Sequence, residues 1–384
     1  MMLLLAGAVV TLVIVAWQSP RRESSPGTNA ERLDQPGGAA SARGPRPHIS
    51  PTLFAALATP DLDTPEEDVR PEPGCWQGLG ELDGRGSLAD LREALRTALA
   101  SGDPLLLAYA QDRMIELVGE DAARAFEVID WAKTSVPPEL MIYMEVLKGT
   151  PAVQAPEVAA SLLDMAQHDA SPDRRAAALV GLESQHQLGA TGIAALRGIA
   201  MEDPIASTAW VAARTLGQVM KEDAARGGDP APYMRGLLDI GRGGPDEAVR
   251  SLALEMPSYS EVLLDSDSLA GVAAILRGDP DPLVREMAAH RLSVTDDPAA
   301  ALSALKLAFA AEASICVRAA IARFAVRAAG AEALPVLAEF ARIEPRLAQD
   351  YQDFARLYAA GIVDFSRIWL EKPPSIECSH PEEG

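Results

Sequence analysis

The sequence contains few aromatic residues, and this scarcity limits the kind of core that it can build. Phe, Trp and Tyr make up only 5% of the 384 residues, although 48% of the chain is hydrophobic. Ala, Leu, Val, Ile and Met must therefore fill the core. Ala, Leu and Met favour helices, whereas sheets favour aromatic and β-branched side chains. We expect an all-α protein.

Positive charge is also scarce. The 34 Lys and Arg residues are outnumbered by 55 Asp and Glu residues, which gives a formal net charge of -21 at pH 7. Such a surface repels phosphate backbones and anionic lipid headgroups. The composition therefore disfavours nucleic acid as a partner, although it does not exclude a local basic groove.

Cysteine occurs only at Cys75, Cys316 and Cys378. Three cysteines are too few for a fold built on disulfides, and their spacing is not that of a metal site. Cys316 lies among apolar helical positions, which favours the interpretation of a small buried hydrophobic side chain. A bridge between Cys75 and Cys378 would require the two ends of the helical region to meet, which an elongated array would forbid.

Motifs for catalysis and cofactor binding are missing from the sequence. It contains no P-loop, H-E-x-x-H, G-x-S-x-G or C-x-x-C motif. The five histidines are scattered without the spacing of metal ligands. We therefore predict no catalytic, cofactor-binding or metal-binding residues, and we expect a protein that is not an enzyme.

The chain opens with an uninterrupted apolar run, MMLLLAGAVVTLVIVAW, over residues 1–17. This length is at the lower limit for a helix that spans a bilayer. No basic residue precedes the run and no A-x-A cleavage motif follows it, so we favour a single-pass transmembrane anchor over a signal peptide. Residues 18–74, rich in Pro, Gly, Ser and Ala, are predicted to be a disordered linker.

The orientation of this anchor has two interpretations. Arg21 and Arg22 behind the apolar run would keep the rest of the chain in the cytoplasm. A long spacer behind an N-terminal anchor, in contrast, resembles bacterial envelope proteins. We expect a protein of the bacterial cell membrane, and we favour the periplasmic side for the soluble part.

The rest of the chain divides into a helical domain, residues 75–370, and an acidic flexible tail, residues 371–384. From Ser87 onward, helical patterns alternate with start signals in which Asp or Ser acts as an N-cap, often followed by Pro. The predicted caps are Asp103, Ser135, Ser171, Asp203, Asp246, Asp281 and Ser314. Their period of about 34 residues indicates about eight stacked helix hairpins. The widest spacing contains KEDAARGGDPAPY, which predicts a lengthened loop.

Four of the second helices carry an arginine four residues after the cap. These arginines are Arg175, Arg250, Arg285 and Arg318, and three of them follow a valine. The pattern resembles HEAT and HEAT-like (PBS-lyase-type) repeats, in which a turn with Asp or Pro leads into a second helix with a Val-Arg pair. The resemblance covers Asp169 to about Arg346 well and Ser87 to Thr150 by period alone.

The other three second helices depart from this pattern. At the position of the arginine they have Leu107, Glu139 and Ser207. The resemblance implies an α-solenoid, or superhelix, in which Arg-to-Asp contacts form a ladder between repeats. We therefore expect the four arginines to be structural residues of the seams between repeats, since the stem of an arginine covers apolar surface while its fork reaches a carboxylate or carbonyl.

The function that we expect is a non-catalytic, membrane-tethered scaffold or adaptor that binds a protein partner through the surface of the solenoid, without a cofactor. Two alternatives remain. HEAT-like repeats also occur in lyases that act on bilin chromophores and in DNA glycosylases, so an enzyme of this kind is one alternative. A purely structural envelope protein is the other.

Overall fold

The computed structural model describes residues 80, 84, 86–258, 262–372, 376 and 378. These residues all belong to one compact unit, Thr59–Gly384, while the other unit, Met1–Ala58, lies outside them. The predicted anchor, residues 1–17, and the whole predicted linker, residues 18–74, lie outside the described residues. Within the described part of the chain, every helix is too short or too polar to cross a membrane.

The described residues form seventeen α-helices. The first eight are α1 (Leu88–Ser101), α2 (Pro104–Val118), α3 (Ala122–Ala132), α4 (Glu139–Gly149), α5 (Pro156–His168), α6 (Pro172–Leu182), α7 (Ala190–Glu202) and α8 (Ala206–Ala225). The others are α9 (Ala231–Gly243), α10 (Glu247–Ser258), α11 (Ser266–Gly278), α12 (Pro282–Leu292), α13 (Pro298–Ala311), α14 (Ile315–Ala329), α15 (Leu334–Ile343), α16 (Ala348–Ala359) and α17 (Phe365–Glu371).

Local sequence explains where many of these helices begin and end. Asp103 accepts hydrogen bonds from two backbone N–H groups of the first turn of α2, and Pro104 occupies the first helical position, where its missing N–H has no cost. Gly102 ends α1 in the left-handed conformation, with φ of 70°, which glycine adopts without steric penalty. The prediction of an all-α fold is confirmed, because the described residues contain no strand beyond one isolated bridge, between Leu264 and Thr295.

The first sixteen helices pack as eight consecutive pairs, from α1 with α2 to α15 with α16. Each second helix from α2 to α12 contacts the second helix of the next pair, and each first helix from α3 to α11 contacts the first helix of the next pair. The pairs are therefore stacked in two layers. A single apolar cluster runs through the stack from Leu88 to Ile368 and consists mostly of Ala, Leu, Val, Ile and Met, as the composition predicts.

The extra residues at the widest spacing extend a helix more than a loop, which corrects one prediction. α8 is 20 residues long and continues to Ala225, and Arg226 to Pro230 connect it to α9. The helix continues because Leu216, Val219 and Met220 are buried at helical spacing and pack into the core. The Gly and Pro residues of KEDAARGGDPAPY mark only the end of the helix and the short turn.

The interpretation of Cys316 as an unbonded hydrophobic side chain was wrong. Cys316, near the start of α14, forms a disulfide with Cys378, and the two Cα atoms lie 5.7 Å apart. The final segment turns back over the last pairs, so the bond joins residues 62 positions apart. Cys75 lies outside the described residues.

Candidate functional site

Arginines at the start of the second helices connect each helix pair to the next. Arg175 on α6 donates from Nε to Oδ2 of Asp203 at 2.8 Å and from Nη2 to Oδ1 at 3.0 Å. Its remaining nitrogen, Nη1, donates to the backbone carbonyl of Asp169 at 3.1 Å. Asp203 directly follows α7, the first helix of the next pair. We call such an arginine and its carboxylate partner in the next pair a rung.

Arg250 and Arg285 form rungs with the same geometry. Arg250 binds both carboxylate oxygens of Asp279, at 3.0 and 3.2 Å, and donates to the carbonyl of Gly244 at 3.1 Å. Arg285 binds both oxygens of Glu312, at 2.8 and 3.1 Å, and donates to the carbonyl of Asp279 at 2.8 Å. Each guanidinium therefore joins the end of the first helix of its own pair to the end of the first helix of the next pair, with the bidentate geometry that arginine provides.

The fourth rung is looser. Arg318 donates from Nη1 to Oε2 of Glu344 at 3.3 Å, and its buried Nε has no hydrogen-bond partner in the described part of the chain. Glu344 also accepts hydrogen bonds from Arg346, at 2.8 and 2.9 Å. The guanidinium of Arg318 lies 5.5 Å from the centre of the Phe309 ring. Arg318 therefore shares its carboxylate with a second arginine.

The carboxylates of the rungs also organise the turns in which they lie. Each of them accepts a hydrogen bond from the backbone N–H two residues further along, as when Asp203 accepts from Ile205 at 2.9 Å and Asp279 from Asp281 at 2.9 Å. Glu312 does the same with Ser314, at 2.8 Å. One carboxylate thus stabilises the turn inside its own pair and binds the arginine of the preceding pair.

These contacts are more buried than surface ion pairs, so the loss of one partner is costly. The side chains of Arg285 and Glu312 are only 16% and 7% exposed. Burial raises the pKa of the Glu312 carboxyl, but hydrogen bonds from Arg285 and from backbone N–H groups outweigh this effect and hold the pKa below its ordinary value of 4.5. Hydrogen bonds from Arg346, together with Arg318, lower the pKa of Glu344 to about 2. Both carboxyl groups are therefore ionised at neutral pH.

The seam between the fourth and fifth pairs has no rung. In α8, whose N-cap residue is Ile205, Ala209 takes the place of the arginine, and Gly244, which follows α9, takes the place of the carboxylate. Both partners are missing from the same seam. The charge of one partner therefore does not remain buried without the other, which is the costly arrangement.

The early pairs use other polar contacts. Glu139, the first residue of α4, accepts hydrogen bonds from Arg96 of α1 at 2.8 Å and from Tyr143. Burial raises the pKa of Glu139, but these hydrogen bonds outweigh it and the pKa is lowered. The polarity of the contact is thus reversed, with the acid on the second helix and the arginine on the first helix of the preceding pair. Arg92 completes the cluster by donating to the Tyr143 hydroxyl at 3.1 Å.

A second early contact links three successive second helices. Glu183, which follows α6 and is buried, lies 2.9 Å from the ammonium of Lys148 on α4 and 3.3 Å from Nε of Arg214 on α8. Asp169, which has no arginine in the preceding pair to bind, instead accepts from Arg174 of its own pair at 2.9 Å. Polar groups therefore join the early pairs without the repeated geometry of the rungs.

Four of the seven predicted caps accept backbone hydrogen bonds at the start of the following helix. They are Asp103, Asp246, Asp281 and Ser314. The prediction was wrong for Ser135, because Pro137 and Pro138 delay the start of α4 to Glu139 and the Ser135 hydroxyl donates to the Trp131 carbonyl instead.

Two further caps need correction. Ser171 occupies the position before α6, but its side chain makes no capping hydrogen bond, and the turn is held by Asp169, which accepts from the Ser171 N–H at 2.8 Å. Asp203 follows α7 rather than immediately preceding α8, whose N-cap residue is Ile205. The apparent cap at Asp203 is thus a rung carboxylate.

The rung carboxylates Asp279, Glu312 and Glu344 were missed by the sequence analysis. A usable signal was present, because Asp279 and Glu312 each lie two residues before a predicted cap. Asp or Glu at that position can accept from the cap residue's N–H, as in an Asx-type turn. Carboxylates spaced in this way from the caps would have identified the partners of the arginines.

Another buried basic cluster lies among α10, α12 and α14. Arg291 is 1% exposed and donates to the carbonyls of Val262 and Val294, at 3.1 and 3.0 Å. Burial, reinforced by the charges of Arg327 and Arg291, lowers the pKa of His290 to about 3, so this histidine is neutral. Its ring stacks on Phe324 with 4.5 Å between centroids. The side chains of this cluster fill the buried space between the three helices.

Among the described residues, no group of His, Cys, Asp and Glu side chains has the arrangement of a metal site. No protein-family model matches the chain, and no curated protein shows significant sequence similarity to it. The rungs are therefore the most regular constellation of charged side chains in the described structure. Their chemistry is that of charge-assisted hydrogen bonds that join neighbouring helix pairs.

Proposed function

We propose that this chain is a membrane-tethered α-solenoid of HEAT-like repeats that acts as a non-catalytic scaffold and binds a protein partner through the surface of the stack. The single observation that carries the proposal is the repeated rung, in which Arg175, Arg250, Arg285 and Arg318 each bind a carboxylate of the next helix pair. Contacts between successive repeats are the basis of a solenoid.

The hydrogen bonds that these arginines already make favour a scaffold role and disfavour a ligand-binding site at the same residues. Each of Arg175, Arg250 and Arg285 uses three nitrogens for two carboxylate oxygens and a carbonyl, and each side chain is between 12% and 16% exposed. A ligand would have to displace buried charge-assisted hydrogen bonds to reach them, which costs several kcal/mol. The stacked pairs instead present an extended outer surface, and such surfaces bind proteins in other solenoids.

The disulfide supports our preference for the periplasmic side. Disulfides form and persist in oxidising compartments such as the bacterial periplasm, whereas the cytosol keeps thiols reduced. A reporter that is active only in the periplasm, fused after Gly384, tests this location. We expect activity in intact cells. An inactive fusion, alongside an active one with a cytoplasmic reporter, would contradict it.

A crosslinking pull-down tests the scaffold function. The full-length chain and a matched bait of residues 1–86, which ends before α1, would carry the same affinity tag in the same cells. We expect at least one protein to be recovered reproducibly with the full chain and not with the short bait, because the stack rather than the tether provides the surface. Identical protein lists from the two baits would contradict the proposal.

A further inference from the structure

The last helix pair departs from the regular layers and leaves a groove that the end of the chain fills. The extended contact between successive second helices stops at α14. Ala322 and Arg323 of α14 and Phe354 of α16 line a common space together with Ile368 and Trp369 of α17. α17 thus lies beside α14, where the second helix of the last pair would lie if the layers continued regularly. We call α17, Lys372, Ile376 and Cys378 the strap.

The strap runs antiparallel to α14. The guanidinium of Arg327 lies 5.7 Å from the centre of the Phe365 ring, and that of Arg323 lies 3.9 Å from the centre of the Trp369 ring. Further along the strap, the disulfide joins Cys378 to Cys316, near the start of α14. The contact positions thus rise along the strap as they fall along α14, and they extend over about 11 residues of α14, roughly 16 Å of helix.

Little of the strap's apolar surface is fully buried, although Phe365 and Ile376 pack partly against the core. α17 has seven residues, and Ile368 is the only buried one. Trp369 is 41% exposed and Leu370 is 82% exposed. Lys372 pairs with Asp350 of α16 and lies 5.3 Å from the centre of the Phe354 ring. A helix of this length is not stable in isolation, so its order depends on these few contacts and on the covalent bond.

We propose that the Cys316–Cys378 disulfide is a latch that keeps the strap over the groove between α14 and α16, and that its reduction opens this end of the stack. The bond raises the local concentration of the strap at the groove, because only a few residues separate Cys378 from Lys372. Once the bond is broken, the strap can leave as a unit and expose Ala322 and Phe354. The oxidised and reduced proteins then differ in the surface at this end.

The chemistry of opening is a thiol–disulfide exchange with a dithiol. One thiolate of the dithiol attacks a sulfur of the Cys316–Cys378 bond and forms a mixed disulfide, and the second thiolate then displaces the remaining cysteine. Two electrons pass from the dithiol to the protein. The products are two protonated cysteines, which take up the two protons released by the dithiol, and one oxidised dithiol.

Hydrogen exchange measured by mass spectrometry tests the latch in the full-length chain, purified in a mild detergent. The protein would be compared with and without dithiothreitol, with alkylation to confirm the state of both cysteines. We expect amides of residues 365–372 to exchange on the order of tenfold faster or more after reduction, because the strap opens more often. Peptides from α6 and α8 should not change.

The double variant Cys316→Ala/Cys378→Ala is the matched control. It should show the fast exchange of residues 365–372 both with and without dithiothreitol, which separates the loss of the bond from other effects of the reagent. Unchanged protection of residues 365–372 after confirmed reduction would overturn the proposal. Alkylation of Cys316 and Cys378 in protein that had not been treated with a reductant would overturn the proposal as well.

Discussion

The seams of the later helix pairs and the seam between the fourth and fifth pairs all belong to one apolar core but differ in their polar contacts. From Arg250 onward, every seam has an arginine on one side and a carboxylate on the other. Between the fourth and fifth pairs, Ala209 and Gly244 replace both. A stack can therefore continue without a rung, provided that neither charge remains alone. Apolar packing holds the layers together, and the rungs set how neighbouring turns meet.

Acid should have the largest effect on the later pairs, because it protonates the two rung carboxylates Glu312 and Glu344 together. Glu312 and Glu344 have folded pKa values below 4.5, and that of Glu344 is about 2. Their stabilising contribution is fully present above the unfolded value of 4.5 and is lost as pH falls through the folded values. We expect the melting temperature, measured by circular dichroism, to fall between pH 4.5 and about 2.

His290 contributes with the same sign at higher pH, because its folded pKa of about 3 lies below its ordinary value of 6.5. The variant Glu312→Gln separates the carboxylates from this histidine, since it removes one titrating rung and leaves His290 in place. Its melting temperature should depend less steeply on pH below 4.5 than that of the parent. Equal steepness would show that Glu312 does not contribute.

Removal of one arginine should have the next largest effect. Arg285→Ala leaves the buried Glu312 carboxylate and the Asp279 carbonyl without their donor. We expect a loss of roughly 3 kcal/mol in the free energy of unfolding, measured by urea denaturation. Arg235→Ala is the control, because Arg235 is exposed on α9 and has no ion pair within the described residues. It should change stability by less than about 0.5 kcal/mol.

The double variant Arg285→Ala/Glu312→Ala distinguishes the lost contact from the charge left behind. It should be more stable than Arg285→Ala alone, because no unpaired carboxylate then remains at the seam. A double variant that is less stable than Arg285→Ala by the full cost of the second substitution would contradict the pairing.

A smaller effect is expected at the seam without a rung. A Cβ atom on Gly244 would lie 2.8 Å from the backbone oxygen of Ile240 and 3.2 Å from Cγ of Arg250, so Gly244→Asp must shift the backbone. We expect a loss of about 1 to 2 kcal/mol in the free energy of unfolding in urea. If Gly244→Asp proved neutral or stabilising, the missing carboxylate would have no steric cause.

The smallest effect is expected for Ser207→Arg, which adds an arginine to an exposed position with no carboxylate opposite. Its free energy of unfolding should stay within about 0.5 kcal/mol of the parent. Combined with Gly244→Asp, the two effects should add, because Ser207 is the second residue of α8 and the rung position is the fourth, Ala209. Recovery of stability in the double variant would instead show that an arginine at Ser207 can reach the new carboxylate.

Much of the helical organisation was predictable because local signals govern it. Caps such as Asp103 and Asp281, each followed by Pro, mark helix starts through hydrogen bonds within a few residues. The common position of the four arginines, four residues after each cap, could be recognised in the sequence for the same reason. The prediction that Ser135 is a cap was wrong because two prolines follow it closely and delay the start of the helix. Asp203 misled because an acid that ends one helix resembles an acid that starts the next.

The partners of the arginines and the pairing of the cysteines depend on contacts between distant residues. Arg285 and Glu312 are 27 positions apart, and Cys316 and Cys378 are 62 positions apart. No local pattern states which carboxylate an arginine reaches, or that the end of the chain turns back along α14. The arginines of the rungs were therefore predictable from the sequence. Their carboxylate partners could be identified only from the packed helices.

By itself, the sequence determined the helical class, the period and the position of each arginine, because composition, spacing and capping act within one or two turns of a helix. Only the tertiary structure decided which turns meet, which charges become buried and how the final segment lies along α14. Those features depend on the packing of one pair against another, where burial makes an unpaired charge costly and proximity allows a disulfide to form.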